Sequence, residues 1–452
     1  MSAPAEPAVE VPIREKNGAG WTPNENETKN LLTKEFEEYV AKLSKDFHVP
    51  GVSVAVVDGD KTLGPDVKAT SDTLYYVGSI TKGMTAAALL YLVNESAKSD
   101  RPITLDTKVQ EILKDDFVLS DDYATKEANL RDPRDSVRLL RHLPMSKGFR
   151  EQFQYSNMSY QVAQHVVETL AGESIGALGQ AQAKPDRLAK GYACNAAKGN
   201  EMTCQPWCET NLVGPSGVIS TVDDFAKYLR AMIHRTLPMS TDLQDALVRP
   251  VIPMGFNGPR VGVVYQLGGV PGFTSLAGYL PDKKFGAIVA TNGDFGGMAR
   301  RDVTGFWGGF AGGMRFMYVG GKKRLFPTAP EPPLPPSLPL EAYQGTYSHP
   351  GYRTITFSVE APAADLPVSG DVKAVLHGTK ETEWGFVLDL DHVSGEEFVA
   401  YINMEGRSAM AQGAVAAAFE LGADGKVARV GIDLEAFPQP MSAAKIWFDK
   451  IS

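Results

Sequence analysis

The sequence predicts an α+β protein that ends in a small all-β unit, and three observations carry that expectation. Apolar runs of strand length at 52–57 and 285–291 stand near the two ends of the first three hundred residues, with segments of helical period between them. Pro327, Pro330, Pro332, Pro333, Pro335, Pro336 and Pro339 then crowd one short stretch, which reads as an extended, semi-rigid spacer. Beyond it, 343–348, 354–359, 386–390 and 398–402 are short β-prone segments separated by glycine and charged turns, the texture of a small β-sandwich or barrel.

A chain of 452 residues exceeds one average domain. The expected division is an N-terminal tail over 1–27, a main unit over 28–326, a proline-rich linker over 327–340 and a β-domain over 341–452. A hydrophobic share of 43% beside 22% charged residues is that of an ordinary globular chain. The formal charge of −9 leaves no basic surplus to neutralise phosphates, so a nucleic-acid partner is not expected. The cluster Lys322-Lys323-Arg324 reads as solvated loop. The opening Met-Ser-Ala-Pro-Ala-Glu-Pro lacks the basic start and apolar core of a secretory signal, and no apolar run is long enough to span a bilayer. A cytoplasmic protein without a membrane partner is the expectation. Cys194, Cys204 and Cys208 cannot all pair and lack a fourth ligand for a metal clip, so they read as plain thiols. Nothing in the sequence gives an oligomeric state.

Along the chain, 1–27 is rich in Pro, Glu and Asn without an apolar period. Leu32, Phe36, Tyr39, Leu43 and Phe47 then recur at helical spacing, with Lys34, Glu35, Glu38 and Lys42 on the other faces, and Pro50-Gly51 stops this helix. The run at 52–57 follows as a buried strand closed by Asp58-Gly59. From Lys82 to about Glu95, Met84, Ala86, Ala87, Ala88, Leu89, Leu90 and Leu92 make an almost all-round apolar helix, which belongs in the middle of a domain. Another helix runs from Tyr160 to about Leu170 and ends at Gly172, and Thr221 caps a further one with Asp223-Asp224 in its first turn. A strand near 262–266 is interrupted by Gly262 and Gly268. No repeat of solenoid type is present.

The chemistry lies in two short motifs, each of which occurs twice. Ser-x-x-Lys stands at Ser79/Lys82 and Ser442/Lys445, and Tyr-x-Asn at Tyr155/Asn157 and Tyr401/Asn403. A pattern fixing two positions is too common to be informative alone. Order and context select the first of each pair: Ser79 opens the buried helix with Lys82 one turn on and on the same side, and Tyr155 precedes the helix at Tyr160. A serine hydroxyl is a poor nucleophile until a base takes its proton. A desolvated Lys82 would have a lowered pKa and either act as that base or hold Tyr155 as phenolate. Asn157 would orient the lysine and the acyl side chain of a substrate, and an oxyanion would need two backbone donors, one of them the Ser79 N–H.

With these motifs in place, the chain resembles the serine β-lactamase and penicillin-binding-protein superfamily, nearest to the class C-like esterases and transesterases with a C-terminal β-domain. Similar blocks stand in the same order at 74–82 (Leu-Tyr-Tyr-Val-Gly-Ser-Ile-Thr-Lys), 214–225 (Gly-Pro-Ser-Gly-Val-Ile-Ser-Thr-Val-Asp-Asp-Phe) and 269–275 (Gly-Val-Pro-Gly-Phe-Thr-Ser). The resemblance covers about 32 to 319, with a weaker echo beyond the prolines. It implies an antiparallel sheet flanked by helices with a helical subdomain, no cofactor, and a small-molecule acyl substrate. The family's third motif, Lys-Thr-Gly or His-x-Gly on a strand edging the site, falls on Gln266-Leu267-Gly268, and the second oxyanion donor on the N–H of Gly269.

A neutral amide at Gln266, where a cation would recognise a carboxylate, turns the expectation toward esters, thioesters or lactones. The expected function is therefore a serine hydrolase or acyltransferase working through an acyl-enzyme at Ser79. Two alternatives stay open: a β-lactamase or D-peptidase acting on amides, with Arg260 or Lys283 supplying a cation, and a non-catalytic binding protein. The last is motivated by three departures from the family pattern. Only Lys61-Thr62-Leu63 stands where a second strand is usual, a His-Thr-Ser-Gly-like turn is missing before Arg138, and the stretch between Gly172 and Lys190 is short. His142 has no Gly-x-Ser-x-Gly elbow to partner it and, like His165, reads as structural. Asp223-Asp224 reads as helix capping and Asp115-Asp116 as solvated loop. Trp207, Tyr265, Phe273 and Phe306 flank the blocks and are candidates for an acyl pocket.

Overall fold

The computed structural model describes residues 33–46, 48–63, 72–118, 133–142, 151, 153, 155–175, 185–195, 201–205, 213–251, 263–293, 320–363, 366–368, 371–380, 386–404, 413–434 and 445–452. Helix α1 (Lys34–Asp46) precedes β1 (Val52–Asp58), which turns into β2 (Lys61–Leu63). The sheet is thus not a strand short, although β2 has only three residues. Leu32 and Phe47 lie outside the described residues. Phe36 packs on Val54 and Val56, whereas Tyr39 is 54% exposed and does not join the apolar face expected of it.

Residues β3 (Tyr75–Tyr76) lead through a 3-10 turn (Gly78–Ile80) into α2 (Thr81–Ser96). Helices α3 (Val109–Leu113), α4 (Pro133–Leu139) and α5 (Asn157–Ala171) share a core of Leu113, Val137, Val162 and Val166. Ser156 caps α5 by accepting from the Ser159 N–H, and Gly172 ends it in the left-handed region. His165 is structural: its Nε2 lies 2.9 Å from Asp116 Oδ2, and Arg138 Nε donates to Asp116 Oδ1 at 2.7 Å. Asp116 is therefore a packed ion-pair centre and not the solvated loop residue its sequence context suggests.

A ribbon of β4 (Tyr192–Asn195) and β5 (Glu201–Cys204) sets Cys204 opposite Tyr192 and Cys194 opposite Met202 in backbone register. After α6 (Val213–Ser216), β6 (Ile219–Ser220) pairs with β3. Thr221 then caps α7 (Val222–His234) by accepting from the Asp224 N–H at 3.0 Å. Helix α8 (Thr241–Val248) follows.

Strands β7 (Val264–Val270), β8 (Phe273–Leu280) and β9 (Phe285–Thr291) are successive antiparallel hairpins, and β9 pairs with β1, giving the sheet order β2-β1-β9-β8-β7. Strand β1 reads as a continuous apolar run because both its faces are covered. Val54 and Val56 meet Phe36, while Ala55 and Val57 meet the Phe225, Ala226, Leu229 and Ile233 face of α7. Glycine does not interrupt β7, which continues through Gly268 and Gly269; Gly262 lies outside the described residues.

Following α9 (Gly321–Leu325), eight strands close into a barrel: β10 (Gly345–His349), β11 (Arg353–Glu360), β12 (Val375–Lys380), β13 (Phe386–Ser394), β14 (Glu397–Met404), β15 (Gly413–Leu421), β16 (Val427–Ile432) and β17 (Ile446–Lys450). Pairing of Tyr347 with Lys450 shuts it, which removes both edges and decides between sandwich and barrel. The lumen is filled by Tyr347, Phe357, Leu388, Phe398, Phe419 and Phe448 and their neighbours. A second cluster on the outside, with Val399 and Tyr401, is covered by Leu325 and Phe326. The basic cluster expected to be solvated is partly engaged there, since Lys322 Nζ donates to Asp391 Oδ2 at 2.8 Å. No helix among the described residues is long and apolar enough to cross a membrane.

Candidate active site

The turn that carries Ser79 is built against the edge of the main sheet. Gly78 has φ +54°, and a Cβ on it would lie 2.6 Å from the Gly269 nitrogen, so two independent constraints require glycine there. A Cβ on Gly268 would lie 1.9 Å from the Val77 carbonyl oxygen. Edge strand β7 therefore rests backbone to backbone on 77–79, and Ser275 Oγ on β8 donates to the Val77 carbonyl at 2.7 Å. On the other side, Thr81 Oγ1 donates to the Gly78 carbonyl at 2.6 Å and accepts from the Val218 N–H at 3.1 Å.

Three of the expected site residues converge on one atom. Lys82 Nζ donates to Ser79 Oγ at 2.9 Å, and Tyr155 Oη donates to the same oxygen at 2.6 Å. Lys82 also donates to the Pro215 carbonyl at 2.9 Å. Its ammonium lies 4.8 Å from the Tyr155 ring centroid and 5.6 Å from that of Tyr160. Burial of Lys82, which is 2% exposed, lowers its pKa to about 7. Tyr155 is 47% exposed, but its hydroxyl is turned inward onto Ser79; burial raises its pKa, the Ser79 hydrogen bond offsets this in part, and Tyr160 adds to the rise. The amine is thus available as a free base near neutrality, while the phenol keeps its proton. Of the two roles open to the pair, this favours lysine as base over tyrosine as phenolate.

Asn157 stands in the first turn of α5, two residues beyond Tyr155, and its Oδ1 is buried with no hydrogen-bond partner among the described residues. No hydrogen bond joins it to Lys82 among the described residues; the Pro215 carbonyl takes that place. Gln266 Nε2 donates to the Ser79 carbonyl oxygen at 2.5 Å. Gly268 and Gly269 lie on the strand edge beside Ser79 as described.

Other candidates separate. Phe273 is 4% exposed and packs 6.3 Å from Tyr76 in the core, so it is not a pocket wall; Tyr265 is half-exposed on β7. Trp207, Phe306 and Arg260 lie outside the described residues, as do Cys208 and most of the stretches before Arg138 and after Gly172. Lys283 follows β8 at the end remote from Ser275, about 17 Å along the strand, too far to supply a cation at Ser79. Tyr401 and Asn403 are buried in β14 of the barrel. The described residues hold no group of three or more His, Cys, Asp or Glu side chains placed to bind a metal.

Sequence reasoning missed the residues that frame Lys82. Thr85 Oγ1 donates to the Gly214 carbonyl at 2.7 Å, and Gln164 Oε1 accepts from the Gly214 N–H at 2.8 Å, which fixes the short helix α6 that offers the Pro215 carbonyl. A signal existed in part: Thr85 lies three residues after Lys82 in an apolar helix, where a polar side chain needs a partner.

Residues 36–181 match the family model Beta-lactamase, and residues 329–450 match one described as a domain of unknown function (DUF3471). A curated relative, the "Unguisins hydrolase ungD'" of Aspergillus campestris (strain IBT 28561), is 27% identical over a 509-residue alignment covering 93% of this chain and 92% of the relative. Another, the "Unguisins hydrolase ungD" of Aspergillus violaceofuscus (strain CBS 115571), is 26% identical, covering 93% and 91%. Among solved structures, the octameric penicillin-binding protein homologue from Pyrococcus abyssi is similar at 17% identity and a TM-score of 0.48, over 91% of this chain and 99% of that one. A class C β-lactamase mutant is similar at 16% identity and a TM-score of 0.43, over 57% and 91%. The family match over residues 36–181, together with the two hydrolase relatives, supports a serine β-lactamase and penicillin-binding-protein-like superfamily for that part of the chain. Both similarities point to the β-lactamase-like serine hydrolases as the broader class.

Proposed function

We propose that the protein forms an acyl-enzyme at Ser79 from an ester, thioester or lactone and passes the acyl group to water or an alcohol. The observation that carries this reading is the convergence of Lys82 Nζ and Tyr155 Oη on Ser79 Oγ, with the amine near neutrality in pKa. Lys82 as free amine takes the Ser79 proton while Oγ bonds to the acyl carbon, and the carbonyl electrons move to oxygen. The N–H groups of Ser79 and Gly269 are the donors for that oxyanion. Collapse breaks the bond to the leaving group, which receives the proton from the Lys82 ammonium by way of the Tyr155 hydroxyl. Water or alcohol then attacks, its proton following the reverse route, and Ser79 is regenerated. Preference for an uncharged substrate is supported by β7, Val-Tyr-Gln-Leu-Gly-Gly-Val, which carries no cation along the site edge.

A second reading is favoured by the curated relatives, whose names assign them hydrolysis of unguisins and which match this chain over most of both lengths. It applies the same acyl-enzyme chemistry to unguisins. A panel of p-nitrophenyl esters of different chain length, run beside nitrocefin and an unguisin, separates the readings. Ester turnover with an acyl adduct mapped to Ser79, abolished in Ser79→Ala, is the expected result. Full turnover by Ser79→Ala would overturn it, and faster turnover of nitrocefin or unguisin than of any ester would move the assignment to those substrates.

A further inference from the structure

We infer that Gln266 is a positioning residue that holds the nucleophile turn from the strand edge, and that Gly83 is the room it needs to do so; the inference rests on Ser79 being the nucleophile. The side-chain amide of Gln266 does not stand free. Its Nε2 donates to the Ser79 main-chain carbonyl at 2.5 Å. At the other end of the same amide, a Cβ built on Gly83 would lie 2.9 Å from Oε1, with Tyr228 Oη the next neighbour at an ordinary 3.9 Å. The amide thus lies along the first turn of α2, over the span from Ser79 to its fourth neighbour, Gly83. A side chain at 83 would push it off.

Gln266 and Gly268 are two apart on β7 and so share one face, and Ser275 stands directly opposite Gly268 on β8. That one face makes two hydrogen bonds to the turn: Ser275 Oγ holds the Val77 carbonyl and Gln266 Nε2 holds the Ser79 carbonyl. The carbonyls of Val77 and of Ser79 itself are anchored to the strands that also bring Gly269 to the turn. Fixing the Ser79 carbonyl fixes the backbone torsion after its Cα, and with it the aim of Oγ between Lys82 and Tyr155. A residue acting in this way changes the rate of acylation for every substrate by a similar factor, whereas a substrate contact would change KM and differ among substrates.

The test is a double-mutant cycle on Gln266→Met and Gly83→Ala, reading the rate at which a small fluorophosphonate labels Ser79, kcat and KM for p-nitrophenyl acetate and butyrate, and the thermal midpoint. Gln266→Met is expected to slow labelling and kcat by about tenfold to a hundredfold for both esters, with KM within about threefold. Gly83→Ala alone is expected to slow labelling by a comparable factor, because its methyl displaces the amide. In the Gln266→Met background it should cost nothing further and should raise the thermal midpoint, as alanine favours a helix interior over glycine. Unchanged labelling in Gln266→Met, a loss confined to KM, or additive losses in the double variant would each overturn the inference. If Gln266→Met does not fold, Gly83→Ala is judged alone, and wild-type labelling in it overturns the inference. Should the wild-type protein itself resist labelling while folded, the Ser79 reading falls first and this one with it.

Discussion

Lys82 Nζ lies 2.9 Å from Ser79 Oγ and 2.9 Å from the Pro215 carbonyl oxygen, and neither partner is a carboxylate. Among the described residues burial therefore acts on the ammonium without an opposite charge to offset it, and the pKa falls from the usual lysine value to about 7. A structural lysine would normally be paired. One without a carboxylate partner among the described residues, held against a serine hydroxyl, is suited to taking a proton.

The first prediction is a pH dependence. Below about pH 7 Lys82 is protonated and has no lone pair, so kcat/KM for an ester should rise through that pH and level off above it. Stability should respond in the same direction. The folded state binds fewer protons at Lys82 than the unfolded state between about pH 7 and the ordinary lysine value, so the burden of burying this group is full below 7 and fades as pH rises through that window. Lys82→Met should abolish turnover and raise the melting temperature most at low pH. A pH-rate profile with no limb near 7 would remove Lys82 as the base.

Tyr155→Phe deletes one of the two donors on Ser79 Oγ and leaves the half-exposed ring in place. The expected loss is about a hundredfold to ten-thousandfold in kcat with little change in melting temperature. A loss below tenfold would show that proton transfer does not pass through the phenol.

Thr85→Val removes the hydroxyl that donates to the Gly214 carbonyl inside the core. Leaving that buried acceptor unpaired should cost about 1–3 kcal/mol in denaturant unfolding. Turnover should fall as well, because the same short helix presents the Pro215 carbonyl to Lys82. Unaltered stability would mean that the Gly214 carbonyl finds another donor.

In the barrel, Lys322 neutralises Asp391, whose side chain is 4% exposed. Lys322→Met should destabilise by about 2–3 kcal/mol, less than a fully buried pair would lose because 43% of the Lys322 side chain already meets water. Asp391→Asn should cost less, since it removes the buried charge instead of stranding it. If the two variants melt alike, the pair contributes through packing alone.

Much of this was legible in the chain. The all-round apolar helix placed Ser79 at the amino end of α2 with Lys82 one turn on, and the helix read from Tyr160 to Gly172 placed Tyr155 just ahead of α5. The runs at β1 and β9 were visible because strands covered on both faces are continuously apolar. Other strands were hidden. β15, Gly-Ala-Val-Ala-Ala-Ala-Phe-Glu-Leu, is rich in the best helix former, yet pairing between β14 and β16 turns Val415, Ala417 and Phe419 into the lumen. β7 reads in the sequence as a strand interrupted by glycine, and Gly268 is there to let another backbone approach.

By itself, the sequence determined the α+β class, the closing β-domain and the serine, lysine and tyrosine of the candidate site, because helical period, strand runs and turn residues act within a few neighbours. Only the tertiary structure decided the barrel, the use of Pro215 and the orientation of Gln266. These depend on main-chain carbonyls brought together across 133 and 187 residues, and a carbonyl is the same at every position, so no residue type announces it.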